Sequence, residues 1–408
     1  MLLRASVQGR ISNEEPGILA EKVVSVRDMR RAAQRRLPRM IFDFIDGGAL
    51  DELTLHENES DLARLRLRQR VLQNVSSCEL ATDVLDRRIG MPLMIAPMGL
   101  LGLFHPHGDL ALARAAARSG TVFVHSAWSG WSVEDVVREA PGSTWSQLAF
   151  WTDAGITRDH IDRAAAAGIE VLVIAGDVAV SSKRERDLHH GLTMPPRPTL
   201  RDIANMTRKP TWLTRLARLA AGPKLTYGNY RIDGRRMRFN EMYSFMRANE
   251  NRSATWADVE KLRNEWHGKI VVKGVMTSED ARSAARVGVD AVIVSNHGGR
   301  QFDAQPSTMR ALTEVVTSAG DELEVLVDGG VRRGSDVVKC LALGAKACLV
   351  GRPAAYGLAV DGEAGAQRVL DLLRDELVVA LGCVGRSNVN KLDSTVLHPA
   401  DRLTEPAF

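Results

Sequence analysis

The run Ser295-Asn296-His297-Gly298-Gly299-Arg300-Gln301 sets an imidazole three residues from a guanidinium, with two glycines between them. Imidazole exchanges protons near neutral pH. A planar guanidinium grips a carboxylate or phosphate through paired hydrogen bonds. Asp328-Gly329-Gly330-Val331-Arg332 and Gly351-Arg352-Pro353 have the make-up of loops whose backbone N–H groups approach a phosphate, and Arg352 adds a forked donor. Gln147, Asp177, Arg184 and Lys273-Gly274 complete the polar set. A base, an acid, a lysine and several arginines together point to an anionic substrate or cofactor.

These groups need a frame that gathers them. From residue 90 onward, short β-branched runs alternate with Ala-rich helical segments. The runs are Leu93–Pro97, Thr121–His125, Thr144–Leu148, Val171–Ala175, Ile270–Lys273, Ala291–Ser295, Glu324–Asp328 and Ala347–Val350. The helical segments between them include Asp109–Ser119, Val133–Glu139, Asp159–Ala167, Ser278–Val287, Met309–Ala319 and Ser335–Leu343. Gly120, Gly168, Gly288 and Gly344 fall where helices should end and feed strands. Strands alternating with helices predict a parallel sheet, and eight continuously apolar strands predict an α/β fold closed as a (β/α)8 TIM barrel. Such a barrel takes roughly 250 residues plus insertions, so 408 residues hold one decorated domain. The polar set falls at the C-terminal strand ends, where barrel enzymes place their chemistry, and the two glycine–arginine loops follow strands seven and eight, the usual phosphate position.

Ahead of the barrel, residues 1–25 read as an arm. An N-terminal helical extension follows, with apolar spacing at Met29, Ala32, Ala33, Leu37, Met40 and Ile41, split at Pro38 and stopped by Gly47 and Gly48. The domain is expected over 26–395, with a tail over 396–408. A long insertion after strand four, lid-like over about 188–260, interrupts the rhythm. It carries most of the positive charge: ten Lys or Arg against two Asp between Arg201 and Asn240, in a chain of net charge +4. There Trp212, Leu213, Leu216, Leu219 and Ala220 interleave with Arg215, Arg218 and Lys224, a short basic amphipathic pattern. It reads as a lid helix packed on the barrel mouth, with peripheral membrane contact as the alternative. No nucleic-acid module is present, and the rest of the chain is net acidic. Cys78, Cys340, Cys348 and Cys383 form no C-x-x-C pair and no metal-ligand spacing. They read as structural, in a reducing compartment. No signal-type apolar core and no membrane-spanning run is found, so the expected location is cytoplasmic, with contact at the inner membrane face left open.

The motif around His297 resembles the signature of FMN-dependent 2-hydroxy-acid oxidases and dehydrogenases, a family that includes glycolate oxidase, lactate oxidase, flavocytochrome lactate dehydrogenase and mandelate dehydrogenase. Leu37-Pro38-Arg39-Met40, Ile95-Ala96-Pro97-Met98, Val272-Lys273-Gly274-Val275, Val327 to Gly334 and Val350-Gly351-Arg352-Pro353 fit as well, in order, so the likeness spans about residues 26–395. The resemblance implies His297 as the base that takes a proton from substrate, with either hydride transfer or a carbanion, and Asp177 as the carboxylate that orients it. It implies Arg300 and Arg184 on the substrate carboxylate and Lys273 against the flavin. Pro97, Met98, Ser126 and Gln147 would touch the ring, while Ser295, Asp328, Gly330, Arg332, Gly351 and Arg352 belong to the remaining cofactor contacts. A homotetramer is also implied.

Three positions depart from the pattern. Phe44 and Ala149 stand where the family usually has tyrosines near the substrate, and Ala175 where it has a threonine near the flavin. The loss of two phenols and the volume opened at Ala149, with Trp128, Trp131, Phe150 and Trp151 near in sequence, imply a roomier and less polar pocket. The expected reaction is therefore oxidation of a bulky or aromatic 2-hydroxy acid to the 2-oxo acid. Oxygen, a quinone and a protein carrier all stand as acceptors. The alternative is an FMN oxidoreductase of specialised metabolism acting on a non-standard alcohol or amine. An FMN barrel isomerase is opposed by the His-Gly-Gly-Arg run with Asp177, and an inert scaffold by the retained polar set.

Overall fold

The computed structural model describes residues 23–192, 197–221, 226–232, 235–238 and 241–399. Eight strands form its centre: β1 (Leu93–Ile95), β2 (Phe123–His125), β3 (Thr144–Leu148), β4 (Val171–Ala175), β5 (Lys269–Val275), β6 (Ala291–Val294), β7 (Glu324–Asp328) and β8 (Ala347–Val350). Each is parallel to its neighbours, and the ring closes in sequential order, β8 against β1 and β4 against β5. The expected barrel is therefore present, with strands at the expected positions.

Alternation along each strand decides what faces inward. Met94, Val124, Trp145, Val171, Val173, Val271, Ile293, Leu326 and Leu349 pack together as the barrel interior. Val84, Leu85 and Ile89 join them from the hairpin Thr82–Val84/Arg87–Ile89. Residues of opposite parity, such as Leu172, Ile174, Val292 and Val327, pack outward under the helices.

Ser25 caps the helix Val26–Arg36 through the N–H of Asp28, and Pro38 separates it from Arg39–Asp46, the expected break. The long helix Arg352–Cys383 is interrupted at Asp361 and Gly362. Residues 1–22 of the expected arm and 400–408 of the expected tail lie outside the described residues. The flanking residues are integrated: Val23 and Val396 are buried, and Leu397 pairs with Leu67.

The insertion between β4 and β5 contributes helices Glu185–His189, Leu200–Thr207, Pro210–Ala221 and Met242–Asn249, with a hairpin Thr226–Ile232/Arg235–Arg238. In Pro210–Ala221 the apolar face turns inward. Trp212 is buried and its indole N–H donates to Leu103 O at 2.8 Å, while Leu213 and Leu216 pack on the core. Arg215 donates to the carbonyls of Ala359 and Val360, which the helix break frees. The described part of this amphipathic stretch thus packs within the chain. The side chains of Arg218, Leu219, Ala220 and Lys224 lie outside the described residues.

Candidate active site

Two residues beyond the interior apolar positions, on the same inward face, stand Ser126, Gln147, Ala175, Lys273, Ser295, Asp328 and Gly351. Alternation alone therefore lifts a polar layer onto the apolar plug. Above it opens a cavity of about 730 Å³. Its wall includes Phe44, Pro97, Met98, Ser126, Trp128, Gln147, Ala149, Arg184, Lys273, His297, Arg300, Asp328, Gly330, Arg332, Gly351 and Arg352. Of the residues singled out from sequence, Asp177, Ser295 and Trp131 are not part of this wall; the Trp131 indole instead donates to Pro106 O at 3.2 Å and stacks on His107. Ser295 is fully buried. Its Oγ accepts from Lys273 Nζ at 2.6 Å and from the backbone N–H of His297 at 3.1 Å, so it supports two wall residues instead of facing the space itself.

His297 is held in the left-handed region at φ 56°, followed by Gly298 at 64° and Gly299 at 72°. Glycine adopts this region freely and histidine does not, so the surroundings must enforce it. Asn296 and Asn58 exchange reciprocal amide hydrogen bonds of 2.9 Å, and Asn58 also accepts from Thr308 N–H. Helix Leu53–Arg64, which carries Asn58, thereby clamps the loop that presents His297.

His297 Nδ1 lies 3.0 Å from Asp177 Oδ2. A carboxylate there holds the proton on Nδ1 and leaves Nε2 to act as a base. Burial opposes ionisation of Asp177, but His297 and Lys273 outweigh it and keep the carboxyl below its ordinary range. Lys273 is buried as well; its desolvation is outweighed by Asp328, 3.0 Å away, and by Asp177, so its ammonium is held charged.

The arginines gather round helix Arg39–Asp46 and the carbonyls that follow it. Gly47 O accepts from Arg300 at 2.7 Å and from Arg352 at 2.9 Å, and Ile45 O accepts from Arg352 at 3.1 Å. The negative end of a helix dipole suits such cations. Burial, then neighbouring guanidiniums, push Arg300 well below its ordinary value, and burial lowers Arg184 and Arg352. Arg184 and Arg300 lie over the Phe44 ring, 5.9 and 5.3 Å from its centroid. Arg332 donates to Glu59 at 2.8 Å.

Several wall residues were not legible in the sequence. Asp187 lay in what reads as a solvated charge run, and Tyr227, Glu250 and Trp256 come from the insertion. Their only sequence signal was the insertion's place on the active-site face. Ala149 sits in a small apolar cluster with Trp151, Tyr227, Tyr230 and Met237, so aromatic groups of the insertion surround part of the space a tyrosine would take.

A sequence model described as FMN-dependent dehydrogenase matches residues 33–399. The chain is 40% identical to an L-lactate dehydrogenase of Caulobacter sp. (strain K31) over 381 residues, 93% of this chain and 100% of that one. Among solved structures, the monotopic membrane protein (S)-mandelate dehydrogenase superposes with a TM-score of 0.88 at 37% identity, covering 92% of this chain and 99% of its own. A mandelate oxidase bound to 3,3-difluoro-2-hydroxy-3-phenylpropionic acid superposes with a TM-score of 0.76 at 34% identity, covering 92% and 98%.

Proposed function

The chain belongs to the FMN-dependent dehydrogenase family, FMN-using oxidoreductases of 2-hydroxy acids, and from that premise we propose that it oxidises a bulky or aromatic 2-hydroxy acid to the 2-oxo acid with His297 as base.

The residues present fit FMN. Asp328 lines the cavity with a buried Oδ1 that has no partner, a waiting acceptor for a polyol hydroxyl. A Cβ on Gly351 would meet nothing nearer than Met98 Sδ at 3.5 Å, so packing does not demand glycine and the open space suits a ligand. Arg332, Arg352 and the uncapped start of helix Arg352–Cys383 offer donors to a phosphate. Pro97, Met98, Ser126 and Gln147 would bound the ring, with Lys273 beside it as a fixed cation. FMN, when bound, supplies the two-electron acceptor.

The chain's own groups do the rest. Arg184 and Arg300 hold the substrate carboxylate. His297 Nε2 takes the proton, and Asp177 orients the ring and stabilises its cationic form. The observation that carries the choice of a bulky acid is the wall beyond the arginines. It is built from Phe104, Trp128, Phe150, Trp151 and Trp256, with Phe44 and Ala149 where phenols would bind a small acid.

FMN-loaded protein should bleach anaerobically with mandelate faster than with lactate. The reverse order overturns the size argument, and bleaching with no 2-hydroxy acid overturns the reaction. His297→Ala should keep its yellow colour and lose bleaching. Repeating the assay with oxygen and with a quinone separates the acceptors, and light scattering tests the homotetramer that belongs to the same reading.

One observation favours a second reading, peripheral contact with an anionic membrane surface. Leu200 and Ile203 are 86% and 46% exposed on helix Leu200–Thr207, beside exposed Arg201 and Arg208. Among the described residues no helix is long and apolar enough to cross a membrane. Co-sedimentation with vesicles containing phosphatidylglycerol should be lost in Leu200→Ser/Ile203→Ser; unchanged binding excludes this helix.

A further inference from the structure

Arg184 is the N-cap of the short helix Glu185–His189, and Asp187 lies one turn on, so both face the same way. Asp187 is buried against the cavity wall, with its nearest cation, Arg184 Nη1, at 3.7 Å. Arg300 faces it from the loop after β6, Asp43 from helix Arg39–Asp46 and His190 from its own segment. A carboxylate of the protein thus lies in the same stretch of wall as the two arginines assigned to the substrate carboxylate.

We infer that Asp187 is a positioning residue that holds Arg184 before substrate arrives and takes a proton from solvent when a substrate carboxylate binds Arg184 and Arg300. The inference rests on the 2-hydroxy-acid reading of the cavity. Two carboxylates sharing one pair of guanidiniums repel, and the repulsion is relieved when one is neutral. The protein's own carboxylate is the one already disfavoured as an anion, because burial raises its pKa against the pull of Arg300 and Arg184. An incoming anion raises it further.

The sign follows from linkage. A group whose pKa is higher in the complex than in the free protein supports binding at low pH, and that support fades as pH rises through the complex's value. Between the free and bound values, affinity falls by up to about tenfold per pH unit. A neutral side chain in place of Asp187 removes that slope and strengthens anion binding at high pH. A residue that merely braced the loop would weaken binding at every pH alike.

The test uses FMN-loaded protein and phenylacetate, a monocarboxylate with no α-hydroxyl to oxidise, with Kd read from the flavin spectrum between pH 5 and 9. His297 is unchanged in every variant, so the comparison between variants isolates Asp187. Wild type should show a Kd that rises with pH. Asp187→Asn should flatten the rise by up to about tenfold per unit and bind more tightly at pH 9, and Asp187→Glu should restore the slope. Asp187→Ser gives the same reading if the amide variant does not fold. A slope unchanged in the neutral variants overturns the role of Asp187 while leaving the carboxylate site intact. If wild type binds no phenylacetate at any pH, the carboxylate site itself fails, and the 2-hydroxy-acid reading with it.

Discussion

Replacing Asp177 by Asn removes one charge and little volume. The His297 Nδ1–Asp177 Oδ2 separation is 3.0 Å. Delocalisation over ring and carboxylate puts the charge centres at roughly 4 Å, and an effective dielectric of about 20 gives an attraction of about 4 kcal/mol once the imidazole is protonated. That attraction is absent while His297 is neutral, so it is felt mainly as the proton moves, and it lowers the barrier. Lys273 also faces Asp177 and takes part of its field, so 4 kcal/mol is an upper bound. Dividing by about 1.36 kcal/mol per decade, the variant should lose roughly 10²- to 10³-fold in turnover. An amide also no longer fixes the proton on Nδ1, which works in the same direction. The assay is anaerobic stopped-flow bleaching of the FMN-loaded protein at saturating acid, with flavin content measured beside it. A variant that keeps its flavin and bleaches within about threefold of wild type would refute the electrostatic role and reduce Asp177 to packing.

Ala149→Tyr refills the volume beside Trp151, Tyr227 and Tyr230; overpacking should lower stability by about 1–3 kcal/mol, and the kcat/KM ratio of lactate to mandelate should rise at least about tenfold. An unmoved ratio removes the volume argument. Asn58→Ala takes one hydrogen bond from each end of the Asn296 amide and leaves the buried Thr308 N–H without its acceptor, which costs about 1–3 kcal/mol and should lower Tm by several degrees, with kcat falling more than KM because the His297 loop loosens. A KM-only effect would contradict the clamp. Glu134 is penalised by burial but pulled down to about 2 by Arg163, 2.7 Å away. Its carboxyl is depressed, so the pair contributes stability above the ordinary carboxylate range and loses it as pH falls toward 2. Glu134→Gln should therefore melt below wild type at pH 7, with the gap closing in acid; a gap that stays constant to pH 2.5 excludes the pair as its source.

The barrel was legible because its strands are buried on both sides and read as uninterrupted β-branched runs. The polar layer was legible for a related reason. Once Ile293 or Leu326 faces inward, Ser295 or Asp328 two residues on must face the mouth. Ser295 shows the limit of that rule, since facing inward is not the same as reaching the cavity; Lys273 Nζ lies over it. The insertion was legible only as a choice between two readings. Its basic amphipathic stretch is ambiguous in sequence because an apolar stripe looks the same against lipid or against Leu103 and the break in the long terminal helix. Nothing local marks Arg215 as a donor to carbonyls of Ala359 and Val360. Asp187 stayed hidden because a run of alternating charges gives no sign of which members turn inward.

Charge balance in the cavity bears on the remaining choice of substrate. Lys273 is answered by Asp328, Arg332 by Glu59 and Arg184 by Asp187. Among the described residues, Arg300 and Arg352 donate to the backbone carbonyls of Ile45 and Gly47 and to no carboxylate. A helix terminus contributes about 0.3–2 kcal/mol to a cation, whereas taking an ion out of water costs several. Both guanidiniums are therefore under-compensated in the protein alone, and burial pulls both below their ordinary values. A phosphate near Arg352 supplies the missing charge at one end. At the other, Arg184 and Arg300 have one carboxylate, Asp187, between them, and an anionic substrate supplies the second. An uncharged alcohol or a cationic amine would leave that pair of guanidiniums one counter-charge short, and the amine would add a like charge beside them. The same imbalance thus favours a 2-hydroxy acid over a non-acid substrate, even where the loss of the tyrosines has stripped the pocket of neutral donors.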